Sequence, residues 1–101
     1  MKLTYFKLYT GEEIIAPSTN VERGWHITNP AVLLHMPDYK IALANWLPYT
    51  KIESGALLPF SSVMLMLDVA DDMVEYYTKW MNPEQNDMIR VDQSGEVLTD
   101  K

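Results

Sequence analysis

The sequence predicts a mostly β fold: a small, five-stranded antiparallel barrel followed by one C-terminal α-helix. Three observations carry that expectation. Across the first two thirds of the chain, short apolar and aromatic runs are cut by Gly, Pro, Asn and Asp at close intervals. From residue 69 the apolar spacing changes to threes and fours, the period of a helix. The 101 residues, 48% hydrophobic and 22% charged, are enough for one core and one domain.

Each element follows from local chemistry. Residues 3–9, LTYFKLY, read as the first strand, with Gly11 in the turn after it. Residues 12–16 form a short second strand that Pro17 ends, because proline removes a ladder donor. A third strand spans 25–36 and is interrupted by Pro30, so it is bent or lies at an edge. After the Pro37-Asp38 turn, Ile41, Leu43, Asn45 and Leu47 alternate with Ala42, Ala44 and Trp46 in a fourth. Residues 57–67, LLPFSSVMLML, make the fifth. Closure into a barrel would remove its exposed edges.

A helix over about 68–82 completes the domain at residues 1–82. Val69, Met73, Tyr76, Tyr77, Trp80 and Met81 form one stripe, expected to pack on the barrel. Asp68 is the expected N-cap, Asp71 and Asp72 suit the positive end of the helix dipole, and Asn82-Pro83 stops it. The acidic tail, 83–101, is read as a weak hairpin or as disordered.

Composition removes several classes of function. There is no cysteine, hence no disulfide, thiolate zinc site or cysteine nucleophile. The net charge is −6 and the eight basic residues are scattered, which argues against strong phosphate binding. Lys7 interrupts any leader-like apolar region, and no apolar run approaches the roughly 18 residues of a membrane span. A soluble, cytoplasmic protein is expected. No nucleophile elbow, phosphate loop or HExxH spacing occurs. Glu12 and Glu13 would point to opposite strand faces and make a poor acid–base pair. Neither an enzyme nor a cofactor is expected.

Two stretches carry a resemblance. Phe6-x-Leu8-x-x-Gly11-x-x-Ile14-x-Ala16 resembles the first motif of Sm and Sm-like proteins, with Ala16 where a second glycine is usual. Residues 56–66, ALLPFSSVMLM, are similar to the second motif: Leu58, Val63 and Met66 fit its apolar places. Pro59 and Phe60 replace its Arg-Gly, and Ser61 and Ser62 take its polar pair. Asn29 matches the asparagine that opens the family's third strand. The likeness covers roughly residues 4–67, is similar to that of phage-encoded members (which would place the protein in a host cytoplasm), and lacks the family's usual N-terminal helix.

The resemblance implies a strongly bent Sm-like, SH3-like barrel and a homo-oligomeric ring in which fourth and fifth strands of neighbours pair. Val63, Met64, Leu65 and Met66 would then lie in the interface. It also implies a single-stranded RNA site or RNA-chaperone role at Trp25, His26, Asn29, Ser61 and Ser62, with the motif arginine missing. Each residue has a plainer reading: Trp25 and His26 as half-buried strand residues, Asn29 as a turn former, the serines as polar strand positions. Asp68, Asp71, Asp72 and Glu75 share a helical face and could hold a hard cation, but acids in a first turn follow from the dipole alone, so no metal is expected. The alternative to RNA binding is an oligomeric protein-interaction scaffold.

Overall fold

The computed structural model describes residues 1–82. The chain divides into two units, one ending at Val69 and the other beginning at Ala70.

The first unit is an antiparallel sheet of seven strands: β1 (Lys2–Leu8), β2 (Glu13–Val21), β3 (Gly24–Ile27), β4 (Ala31–Met36), β5 (Lys40–Asn45), β6 (Ala56–Pro59) and β7 (Val63–Asp68). Their order is β5-β4-β2-β1-β7, with β3 pairing β2 on one side and β6 on the other. The sheet does not close. The expected closed, five-stranded barrel is therefore corrected to an open sheet in which β5, β6 and β7 each pair on one side only.

Local chemistry explains the extra strands. The expected third strand splits because Ser18 pairs Ile27 whereas Ile15 pairs Ala31. Three steps along β2 thus face four along its partner. The surplus residue is absorbed at Thr28–Pro30, where Asn29 takes φ 44°, a left-handed conformation asparagine tolerates. The expected fifth strand splits at a 3₁₀ turn, Phe60–Ser62, which follows Pro59.

Pro17 does not end β2, as expected, but lies inside it. It sits between the ladder to β4 (Ile14 and Ile15) and the ladder to β3 (Ser18 onward), where a missing donor is tolerated. Its carbonyl still accepts from the Thr28 N–H at 3.2 Å.

At the first turn the expectation holds. Gly11, at φ 102°, donates to the Leu8 carbonyl, and the Leu8 N–H donates to Glu12 across the same turn. Phe6, Leu8, Ile14, Ala16, Ile27 and Leu58 form the interior cluster, with Trp25, Val32, Trp46, Ala56 and Val63 packed against it. Burying such side chains supplies about 1.5–3 kcal/mol each for the larger aliphatics and phenylalanine. Two buried hydroxyls find each other: Ser18 donates to Thr4 at 2.8 Å. β3 and β6 approach so closely that a Cβ on Gly24 would sit 2.1 Å from the Leu58 carbonyl oxygen.

The second unit carries α1, Asp71–Met81. Its N-cap is Ala70, without a side-chain bond, rather than Asp68. Asp68 closes β7 instead and pairs with Lys2 at 2.9 Å. Asp71 and Asp72 occupy the first turn, Asn82 ends the helix, and the Tyr77 and Trp80 rings lie 5.8 Å apart. The acidic tail, 83–101, read as a weak hairpin or as disordered, lies outside the described residues.

Candidate functional site

β3 presents Trp25 and His26 on opposite faces, as neighbours on a strand must be. Trp25 turns inward. Its ring meets Phe6 edge-on at 5.1 Å and Phe60 at 4.9 Å, so both aromatic neighbours are already engaged. His26 turns outward and is exposed, its ring lying over Gly55, where a Cβ would come within 2.8 Å of Nε2. A single flat ligand cannot stack on both rings from one side.

Asn29 is half-buried at the break between β3 and β4, shaping the chain through its left-handed backbone. Ser61 and Ser62 belong to the 3₁₀ turn. That turn is tied to the other end of β3 by the Phe60 N–H donating to Arg23 at 3.2 Å. Asn29 lies six residues beyond Arg23, roughly 20 Å of extended chain. The five residues read from sequence therefore do not gather at one point.

A different group does gather. The Tyr9 N–H donates to the Ser62 carbonyl at 3.1 Å, so the 3₁₀ turn joins the end of β1 to the start of β3. This brings the backbones of Tyr9, Arg23, Phe60, Ser61 and Ser62 together. Tyr9 is 69% exposed, Phe60 47%, and Arg23 is exposed as well. Sequence reading missed Tyr9 and Arg23 because each lies in a separate turn, and only strand pairing joins those turns.

A second cluster lies on the outer face. The Glu13 carboxylate accepts from the Tyr5 hydroxyl and contacts His35 Nε2, across three strands. The Tyr5 bond, then His35, holds the Glu13 carboxyl below its ordinary value. Burial, followed by the bond and charge of Glu13, pushes the Tyr5 phenol up to about 12. Glu12 points the other way, toward Thr10 and the Trp46 indole N–H, and its carboxyl is lowered by both.

The expected interface residues sit on an open edge. β7 pairs only with β1, and Met64, Leu65, Met66 and Leu67 are 43–50% exposed. Val63, the other expected interface residue, packs against the interior cluster. Among the described residues no group of three or more His, Asp or Glu side chains could hold a metal ion, and no helix is long and apolar enough to cross a membrane. No protein-family model and no curated protein matches the chain.

Proposed function

We propose that this chain is the subunit of a closed homo-oligomer of the Sm-like type, acting as a protein-interaction scaffold. One observation carries the reading: an outermost strand, β7, with four consecutive half-exposed apolar residues. An edge of this kind, unpaired, is a template for aggregation, and natural sheets break it with lysine, proline or a cover. β7 has no proline and no lysine. β5 and β6 also pair on one side only, so one copy offers further open edges to a neighbour's β7.

The pairing order supports the Sm-like reading. β2 pairs β3 and β4 in succession, and these in turn pair β6 and β5. Two bent, interrupted strands then stand where a five-stranded fold has its third and fourth, with β7 on β1 as the fifth.

RNA binding is the second reading, favoured by the exposed Phe60, Tyr9 and Arg23 around the 3₁₀ turn, since aromatic faces and a guanidinium suit unstacked bases. Few cations stand nearby and the net charge is −6, so any affinity should be weak and fall steeply with salt. Titration of labelled U-rich and A-rich oligomers at low and physiological salt separates the readings. Absence of binding supports the scaffold, and binding that barely changes with salt would overturn both the weak-site reading and its basis in charge.

A further inference from the structure

We propose that the tip of the β4–β5 hairpin binds a small zwitterion with an apolar side chain, an amino acid by chemical class. The proposal stands apart from the assembly, because every residue in it belongs to that hairpin or to the Glu13 network behind it.

An open groove of about 540 Å³ is lined by His35, Met36, Asp38, Tyr39, Lys40 and Ile41. That size lies within the range of small-molecule sites. The strands are joined by a three-residue turn, Pro37–Tyr39. Two successive residues in it take left-handed backbone, Asp38 at φ 65° and Tyr39 at φ 61°. Aspartate tolerates this conformation, whereas a bulky aromatic there is an outlier that glycine would relieve. Nothing internal offsets the strain at Tyr39. The side chain is fully exposed and, among the described residues, makes no hydrogen bond or ring contact. Backbone strain of this kind gathers at ligand clamps, and Tyr39 is one wall of the groove.

The charges choose the ligand. Asp38 and Lys40 both line the groove, and among the described residues neither forms an ion pair with the other or with a third group. An anion such as phosphate would satisfy Lys40 and be repelled by Asp38. A metal ion would find too few donors, since no three His, Asp or Glu side chains gather among the described residues. A molecule carrying both an ammonium and a carboxylate answers the two residues at once. Met36 and Ile41 offer it apolar surface.

His35 is the prepared group. Its Nε2 meets the Glu13 carboxylate, which also accepts from the Tyr5 hydroxyl. A carboxylate only accepts, so Nε2 carries the proton and Nδ1 of the neutral ring is left as an acceptor. A backing carboxylate that fixes tautomer and ring orientation is the usual support of a working histidine. On a side chain lining the groove, Nδ1 joins Asp38 in accepting from the ligand's ammonium, while Lys40 takes the carboxylate.

Methyl NMR on the full chain tests the site in any oligomeric state, with Met36 and Ile41 as reporters. Leucine should shift both resonances saturably. Leucinamide, N-acetyl-leucine and inorganic phosphate, each lacking one charge or the apolar part, should bind about tenfold more weakly or not at all. Lys40→Met should erase the preference for leucine over leucinamide, and Asp38→Asn its preference over N-acetyl-leucine. Tyr39→Gly should weaken binding without lowering the melting temperature, a combination that a merely structural tyrosine would not give. Absence of any saturable shift with leucine would overturn the proposal, and saturable shifts confined to methyls outside 35–41 would overturn its placement. Tighter binding of phosphate would overturn it in favour of an anion site. Equal binding of leucine, leucinamide and N-acetyl-leucine would overturn the roles of Asp38 and Lys40.

Discussion

β1 and β7 lie side by side in one sheet, and their burial could hardly differ more. β1 alternates: Thr4, Phe6 and Leu8 are buried, while Lys2 is exposed and Tyr5 and Lys7 are half-exposed. β7 is the more apolar strand, yet from Met64 onward every residue is exposed. Position, not composition, separates them. β1 is flanked by strands on both sides, whereas β7 has one neighbour and an open edge. That an apolar strand is left uncovered by its own fold is the contrast on which the proposed homo-oligomer rests.

The comparison breaks most visibly by truncation. Phe6→Ala should cost about 3–5 kcal/mol in denaturant unfolding, the range for a fully buried aromatic. Met66→Ala should cost under about 1 kcal/mol in the dissociated chain but weaken association. Similar losses for both would mean that β7 is covered within its own chain.

Next in size is the close approach of β3 to β6. Gly24→Ala places a methyl against backbone, not against a flexible side chain, and should destabilise by about 1–3 kcal/mol or more. A wild-type melting temperature would show that the two strands can part without loss.

The polar network on the outer face sharpens the contrast from the other side, being satisfied within the chain. Glu13 is held below its ordinary carboxyl value, so its contribution is fully present above that value and is lost as pH falls through the lowered one. Stability should thus drop more between neutral pH and about pH 3 in the wild type than in Glu13→Gln. Tyr5→Phe removes one donor and should cost about 0.5–1.5 kcal/mol at neutral pH. Parallel pH profiles for wild type and Glu13→Gln would remove Glu13 from the account.

Local patterns were the legible part. Gly11 between two apolar runs marked the β1–β2 turn, and the spacing from Met73 to Met81 with Asn82 after it marked α1. Context-dependent features were not legible. Pro17 reads as a stop until β2 is seen to change partners beside it. Asp68 reads as a cap until β7 claims it. Either Trp25 or His26 reads as a stacking surface until strand alternation sends them to opposite faces, Trp25 inward and His26 outward. Glu13 and His35 are 22 residues apart, with no local pattern to join them.

The proposed homo-oligomer requires β7 to be covered by another copy, and absolute mass from light scattering tests that most directly. The prediction is a discrete multiple of the chain mass that holds over a wide concentration range and collapses to one chain when Leu65 and Leu67 are both replaced by lysine, with the β-sheet circular dichroism retained. A wild-type mass of one chain at every concentration, with the protein still soluble, would contradict it.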